Sequence, residues 1–475
     1  MERRNAWKTY SEQDLVELNA LADDYREFIS INKTERECTA SAIKRAEAAG
    51  YKNLQEVRAD GRKLVTGDKV YAANYGKNLI LVHIGSEPME QGLNILGAHI
   101  DSPRLDIKQN PLYEASDFAL LDTHYYGGIK KYQWVAIPLA IHGVVAKKDG
   151  TTVQVNVGEG QNDPVFCVTD LLIHLSGDQM DKKASKVIEG EDLDVLVGGR
   201  PMVVSEEDAK AAAEGSIESL AAKEPVKARV LRLLQGKYGF DEEDFLSAEL
   251  EVVPAGAARN CGFDASMILG YGQDDRVCAF ASLQAQLAVD DVARTAVCVL
   301  ADKEEIGSVG ATGMTSMFFE NTIAEIMEAA GQGGYLQMRR ALAASNMLSS
   351  DVSAALDPTY ASAYDPKNSA YCGRGIVFNK YTGARGKSSS NDANAEYVAR
   401  IRAIMEADNV AYQTAELGKV DQGGGGTIAY ILAKYGMNVI DCGVAVLSMH
   451  APWEVTSKAD LYETSRGYKA FLRYA

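Results

Sequence analysis

The fold is indicated most clearly by the apolar stretch Thr295-Ala296-Val297-Cys298-Val299-Leu300-Ala301 and its continuation, Asp302-Lys303-Glu304-Glu305-Ile306-Gly307-Ser308. An apolar run of this length, rich in bulky residues, predicts a buried strand. Glu304 and Glu305 then emerge together at its carboxyl end, where ligands bind in open α/β sheets. Adjacent carboxylates repel each other, and a cation is the usual reason for burying such a pair. The stretch therefore predicts a metal site at the edge of a sheet.

The histidines are few enough to suggest further ligands, since the chain has only 6. His99 ends the apolar run that starts at Leu93, and His450 ends the run Gly443–Met449. In an extended segment residues two apart point the same way, so Asp101 is placed to accept the second ring N–H of His99. This is the carboxylate–histidine–metal arrangement.

Each of these features also has a simpler interpretation. A histidine in or after an apolar strand is more often a core or turn residue than a ligand. A Glu-Glu pair is common in solvated loops and in the first turn of a helix. Seen alone, Asp274 at a predicted helix start is more simply an N-cap, and Asp351 could be a turn or cap residue. The joint occurrence of such residues at the ends of three apolar runs favours a metal centre.

Composition restricts the class of protein. With 475 residues the chain is long enough for two domains, or for one large domain with an insertion. The net charge of −17 disfavours nucleic acid and anionic membranes as partners. The 7 cysteines are odd in number and include no C-x-x-C, which suits reduced thiols. No signal peptide or membrane span is predicted, so we expect a cytoplasmic protein.

The predicted secondary-structure pattern changes twice along the chain. Residues 1–110 have mixed helix and strand character, starting with a charged helix over Ser11–Phe28. The following part is β-like, with expected strands at Trp134–Leu139 and Thr152–Val157, and Pro225 and Gly236 are expected to bound a short helix. The remainder of the chain again shows alternating helix and strand patterns. We therefore expect one discontinuous α/β domain, 1–110 and 247–475, with residues 111–246 inserted.

Five motifs taken in chain order resemble the metal site of the M18 metallopeptidases, the aspartyl aminopeptidases, over nearly the whole chain. They are Ala98-His99-Ile100-Asp101, Asp274, Glu304-Glu305, Asp351 and Ser448-Met449-His450. The resemblance implies an α/β fold, with a zinc-aminopeptidase-like three-layer catalytic domain and an inserted β-rich dimerisation domain. It also implies an enzyme that removes N-terminal residues from peptide substrates.

The same resemblance implies a role for each motif. Asp274 would bridge two divalent metal ions, with His99 and Asp351 completing one site and Glu305 and His450 the other. Glu304 would be the general base toward the attacking water and then the acid toward the departing amine, while Asp101 orients His99. Zinc is the expected metal, although cobalt or manganese fit similar ligands.

Substrate preference is less well indicated by the sequence. Lys387 lies where the family carries a lysine that could meet an acidic side chain, and an exposed loop lysine is the alternative. After Tyr126-Gly127-Gly128 the chain departs from the family pattern, as it does after His450, so a neutral or broad preference stays open. The glycine run Gly423–Gly426 is either an anion-holding loop or a flexible turn.

The insertion is expected to take part in catalysis through His174. The matching histidine in M18 enzymes reaches from one subunit into the active site of its neighbour, and the subunits assemble through dimers into dodecamers. A histidine on a half-buried segment is the simpler interpretation. Two other functions also compete. A two-metal amidase or deacylase acting on N-acyl amino acids would use the same ligands, whereas a scaffold protein would be expected to have lost one.

Overall fold

The computed structural model describes residues 3–205, 207, 212–213 and 215–475 of the chain. They divide into two compact units. The first contains the described residues up to Ser102, Ala257–Met449 and Trp453–Ala475, and the second contains Pro103–Gly256 and His450–Pro452. The second unit extends beyond the expected insertion, 111–246, on both sides. The assignment of catalytic and dimerisation domains stays a prediction.

The first unit is built on a sheet of nine strands. In spatial order the strands are Lys52–Asn53, Lys69–Asn74, Asn78–His83, Ala296–Ala301, Asn94–His99, Asn346–Ser350, Asn438–Gly443, Ile376–Asn379 and Tyr412–Thr414. The central four, from Ala296–Ala301 to Asn438–Gly443, are mutually parallel. Their carboxyl ends therefore lie along one edge of the sheet.

Helices cover both faces of this sheet, because its central strands are apolar on both sides. In Ala296–Ala301, the side chains of Ala296, Cys298 and Leu300 join one core cluster, while those of Val297, Val299 and Ala301 join the other. One cluster contains helices Glu12–Ile31, Glu35–Ala48, Gln273–Ala288, Ala395–Ala407 and Lys458–Tyr474. The other contains helices Leu54–Ala59, Phe318–Ala329, Tyr335–Ala343 and Ala429–Ala433. The three-layer α/β fold is thus confirmed.

A five-stranded sheet also belongs to the first unit, and it corrects one sequence-based expectation. Its strands are Arg259–Cys261, Met267–Gly270, Glu454–Ser457, Ala445–Leu447 and Ser353–Ala354. The apolar run Gly443–Met449 was expected to be one strand ending at His450. Instead Gly443 ends a strand of the large sheet, and Ala445–Leu447 pairs in the small one. Ser448 and His450 both adopt positive φ in the turn that follows.

The second unit contains an antiparallel sheet of seven strands. In spatial order they are Thr152–Val157, Leu139–Ala146, Ala248–Pro254, Arg104–Ala115, Phe118–Tyr126, Val195–Gly198 and Cys167–Val168. Its helices include Gly177–Met180, Ile217–Leu220 and Pro225–Tyr238. The β-rich character is as expected, but Trp134–Pro138 lies outside the strands. The helix that begins at Pro225 runs past Gly236 to Tyr238, because the left-handed residue that caps it is Gly239.

The helix expected at Ser11–Phe28 is present as Glu12–Ile31, and a capping box formed by Ser11 and Asp14 begins it. Among the described helices, none is both long and apolar enough to cross a membrane. The cytoplasmic location stays a prediction.

Candidate metal centre

The predicted ligands of the first unit lie at the carboxyl edge of the large sheet. His99 is the last residue of its strand, and Asp351 directly follows the adjacent strand Asn346–Ser350. Glu304 and Glu305 begin a short 3₁₀ turn just after the strand Ala296–Ala301. Because these strands are parallel neighbours, residues that are far apart in sequence reach one edge.

His99 is buried, and both of its ring nitrogens face carboxylates. Nδ1 lies 3.0 Å from the backbone carbonyl oxygen of Asp101 and 3.3 Å from Oδ1 of its carboxylate, and Nε2 lies 3.2 Å from Oδ1 of Asp274. The same Nε2 is 3.9 Å from Oε2 of Glu304 and 4.0 Å from Oδ1 of Asp351. Burial disfavours the charged imidazolium, but hydrogen bonds with Asp101 and Asp274 outweigh it and raise the pKa of His99.

Asp101 ties together two parts of this edge. Its carboxylate accepts the backbone N–H of Glu304 at 3.1 Å and that of Glu305 at 3.2 Å. Lys303 and Gly307, on either side of the 3₁₀ turn, both adopt left-handed conformations, so the turn is tight. Asp101 therefore contacts His99 and also fixes the start of the turn that carries the two glutamates.

Asp274 lies at the start of the helix Gln273–Ala288 without acting as its N-cap. The residue in the N-cap position is Gly272, and Asp274 and Asp275 have non-helical backbone angles and are joined by a cis peptide bond. Ser102 Oγ donates to the Asp274 carbonyl at 2.6 Å. The Asp274 carboxylate lies beside Nε2 of His99.

These residues fit a divalent metal ion. One ligand atom each from His99, Asp274 and Asp351 lies within 4.8 Å of the others. One imidazole and two carboxylates are donors that zinc accepts readily. Burial raises the pKa of Asp351, and the negative charge of nearby Asp275 raises it further. The ionised form of this carboxylate is therefore unfavourable unless a cation lies beside it.

His450 belongs to the short segment of the chain that groups with the second unit. Its Nδ1 lies 2.7 Å from the carbonyl oxygen of Gly128, in the same unit. A neutral imidazole that donates from Nδ1 keeps its lone pair on Nε2, the form a metal requires. Gly128 is part of the Tyr126-Gly127-Gly128 motif, which gives that motif a local structural role.

His174 and Lys387 are both exposed. His174 lies in the 3₁₀ turn Ile173–Leu175 of the second unit. Lys387 Nζ lies 2.9 Å from Oδ2 of Asp392 and 3.8 Å from the centre of the Tyr381 ring. The ion pair with Asp392 occupies the charge that was expected to meet substrate. Contact between Lys387 and a substrate stays a prediction.

Three buried charged residues near this edge were not predicted. Asp275 Oδ2 accepts the backbone N–H of His99 at 3.3 Å, and Glu454 Oε2 accepts that of Asp274, also at 3.3 Å. Arg276 lies two residues after Asp274 and is almost fully buried. The only sequence signal for Asp275 and Arg276 was their position one and two residues after Asp274, and Glu454 had no recognisable signal.

A three-layer α/β unit with histidine and carboxylate donors clustered at the carboxyl edge of its sheet defines a metal-dependent hydrolase. Residues 28–472 match the family model described as Aminopeptidase I zinc metalloprotease (M18), and the chain belongs to this family. It is therefore a metalloaminopeptidase.

Individual relatives agree with this family assignment. A probable M18 family aminopeptidase 1 of Clostridium acetobutylicum is 60% identical over 99% of this chain and 98% of its own length. The corresponding Thermotoga maritima protein is 43% identical over 99% of both chains. A crystal structure of the M18 aminopeptidase from Thermotoga maritima superposes with a TM-score of 0.92 over 100% of both chains, at 42% identity.

Proposed function

We propose that this aminopeptidase works through two divalent metal ions held by five side chains. His99 and Asp351 would bind one ion, Glu305 and His450 the other, and Asp274 would bridge them. The observation that carries the proposal is that one ligand atom each of His99, Asp274 and Asp351 lies within 4.8 Å of the other two. Glu305 and His450 are assigned to the second ion by the resemblance to the M18 metal site. The family description supports zinc, and reconstitution would compare it with cobalt and manganese.

Glu304 is the proposed general base. Metal ions in these two sites would supply Lewis-acid polarisation of the scissile carbonyl and a water of lowered pKa. The Glu304 carboxylate would accept the proton of that water and deliver it to the departing amine nitrogen. Asp101 would hold the imidazole of His99 and, through the backbone N–H of Glu304, the position of the base.

A substrate panel tests the reaction class. We expect the metal-reconstituted protein to cleave aminoacyl amides and short peptides with a free amino terminus. N-acetylated versions of the same peptides and simple N-acyl amino acids should remain intact. Hydrolysis of the acylated compounds in preference to free peptides would instead favour the amidase or deacylase, which the names of the relatives do not favour.

Preference for acidic N-terminal residues is a separate part of the proposal. Lys387 is the candidate contact, since its side chain is exposed and its ammonium group lies next to the aromatic ring of Tyr381. An incoming substrate carboxylate would have to compete with Asp392 for this ammonium group. A neutral preference would leave the Lys387–Asp392 pair intact.

We also propose self-association through the second unit, with His174 contributed to the active site of a neighbouring copy. The support is local. His174 is surrounded in sequence by exposed apolar side chains, namely Val165, Leu171, Leu172, Ile173, Leu175 and Met180. Such a concentration of exposed apolar groups is typical of an interface. A solved structure of the yeast mApe1 dodecamer shares the fold at 19% identity, and a dimer-based dodecamer is the assembly we propose here.

The proposed enzyme would act in the cytoplasm. All seven cysteines are free in the structure. A reducing compartment suits free thiols. Fractionation of cells expressing the tagged native chain would test this location.

A further inference from the structure

Arg276 is a buried cation close to the proposed ligands in the chain. Arg276 is only 1% exposed, although arginine is seldom fully buried without partners. It lies on the helix Gln273–Ala288, two residues beyond Asp274. None of the proposed catalytic steps uses it, so its burial needs another reason.

The guanidinium group of Arg276 joins three backbone segments. Nη2 donates to the carbonyl of Lys33 at 2.7 Å, and weaker hydrogen bonds at 3.4 Å run from Nε to Ile100 and from Nη1 to Tyr271. Only the planar, forked guanidinium offers donors in several fixed directions at once, whereas a lysine ammonium is a compact point charge. The contacts therefore depend on the shape of the group as well as its charge.

Of these three contacts, the one with Ile100 bears directly on the metal centre. Ile100 stands between His99 and Asp101, and its carbonyl belongs to the peptide unit that joins Ile100 to Asp101. The position of this carbonyl depends on ψ of Ile100 and φ of Asp101, and φ of Asp101 is one of the angles that direct its side chain. Asp101 in turn contacts Nδ1 of His99 and the N–H groups of Glu304 and Glu305.

Gly272 leaves the space that the guanidinium occupies. It has φ +73°, and a Cβ at this position would lie 2.1 Å from Nη1 of Arg276 and 2.9 Å from Oγ of Ser102. An alanine would therefore be strained in its backbone and would also displace the guanidinium. The Gly272 backbone thus packs directly against the guanidinium group, in space that any other residue would fill with its Cβ.

We propose that Arg276 is a positioning residue for the segment His99–Asp101, and that Gly272 provides the space it needs. By holding the Ile100 carbonyl, Arg276 keeps His99 and Asp101 in the orientation that metal binding requires. This inference rests on the proposed role of His99 as a ligand. It predicts that the geometry of the guanidinium, and not simply a positive charge, supports the metal site.

The test compares Arg276→Lys, Arg276→Met and Gly272→Ala with the unaltered full-length protein. Metal-free samples are titrated with Zn²⁺ against a chromophoric chelator, and thermal unfolding is recorded without metal. We expect all three variants to bind Zn²⁺ about 10–100-fold more weakly, as is usual when a group that orients a ligand is lost. In steady-state assays at saturating Zn²⁺, kcat should fall while KM stays nearly constant.

A destabilised control separates positioning from simple loss of stability. Leu342→Ala removes a buried side chain from the helix Tyr335–Ala343, in the core cluster on the opposite face of the sheet. It should lower the unfolding temperature and leave Zn²⁺ affinity unchanged. Arg276→Lys with unaltered Zn²⁺ affinity, or with a loss no larger than that of Leu342→Ala, would overturn the proposal. If Arg276→Met fails to fold, Arg276→Lys and Gly272→Ala still decide the question.

The same experiment distinguishes this inference from the proposed function. If the unaltered protein fails to cleave free peptides in the substrate panel, the proposed function is wrong. The Zn²⁺ titrations do not depend on turnover, so the positioning role of Arg276 would still be measured.

Discussion

Glu304 is the residue on which the proposed chemistry depends most directly. Its backbone N–H is bound by Asp101, and its Oε2 lies 3.9 Å from Nε2 of His99. Glu304→Gln keeps the size of the side chain and removes its ability to accept a proton. We expect kcat to fall by about 10²–10⁴ while Zn²⁺ content stays unchanged.

Substitution of a proposed ligand, unlike Glu304→Gln, should lower the Zn²⁺ content of the protein. Asp274→Ala is expected to lower Zn²⁺ content measured by atomic emission, because this residue belongs to the donor group formed with His99 and Asp351 and is the proposed bridge between the two ions. Glu320→Gln, in the helix Phe318–Ala329, provides a carboxylate-to-amide control outside the centre. A Glu304→Gln enzyme with near-normal turnover would remove Glu304 from the role of base.

Lys387 allows a residue-level test of specificity with a matched control. Lys380 and Lys387 both form ion pairs with Asp392 and have similar exposure, 48% and 43%. If Lys387 contacts an acidic substrate residue, Lys387→Ala should lower kcat/KM for Glu- and Asp-leading peptides and leave Leu-leading peptides nearly unaffected. Lys380→Ala should change neither. Equal losses on all substrates, or equal effects of the two variants, would identify Lys387 as a structural residue.

At the scale of a single element, the strand Asn438–Gly443 carries a buried carboxyl group with a raised pKa. Asp441, in this strand, is buried and accepts a hydrogen bond at 2.6 Å from Oγ1 of Thr427, which directly follows the glycine run. Burial raises the pKa of Asp441 to about 7, against the effect of its hydrogen bond with Thr427. The folded strand therefore holds a proton that the unfolded chain would release well below neutral pH.

This raised pKa predicts a pH dependence of stability. A group whose pKa is higher in the folded state stabilises it fully below the unfolded pKa, and that stabilisation is lost as pH rises through the folded value. Asp441→Asn removes the titration. The unfolding free energy of the wild type relative to Asp441→Asn should therefore fall as the pH rises from 3.8, the ordinary pKa of an aspartate, to about 7.

The change in Asp441→Asn is best measured by chemical unfolding of both proteins at matched pH and metal concentration. Other titrating groups are common to the two proteins, so their contributions largely cancel in the difference. We expect a total change on the order of a few kcal/mol over this range. A difference that is constant with pH would show that Asp441 does not titrate in this window.

At the scale of the whole molecule, the central proposal is an active site completed by a second copy. The exposed apolar side chains around His174 lie in the second unit, whereas Glu304 belongs to the first. His174→Ala and Glu304→Gln should each be nearly inactive alone. Mixing them under conditions of subunit exchange should restore activity at roughly a quarter of the sites, for random exchange in a two-fold dimer.

The control for this experiment mixes His174→Ala with the double variant His174→Ala/Glu304→Gln. That mixture contains no intact His174 and should stay inactive. Exchange itself is followed by native mass spectrometry of the mixed assemblies. Absence of recovered activity despite exchange, or full activity of an isolated monomer, would contradict a shared site.

The sequence by itself determined the parts of this protein that depend on local chemistry. The unbroken apolar run Ala296–Ala301 was enough to predict a buried strand, and its side chains do point alternately into the two core clusters. The polar residues that follow such strands could then be assigned to one edge. His99, Asp274 and Asp351 do meet there, while their roles remain to be tested.

Only the tertiary structure decided features that depend on contacts between distant segments. The run Gly443–Met449 divides between two sheets, since strand pairing depends on partners elsewhere in the chain. The hydrogen bonds of Arg276 with Lys33 and Ile100 also join distant parts of the chain and have no local sequence pattern. A buried charge is tolerated where folding brings partners to it, and the residues next to it in sequence do not determine those partners.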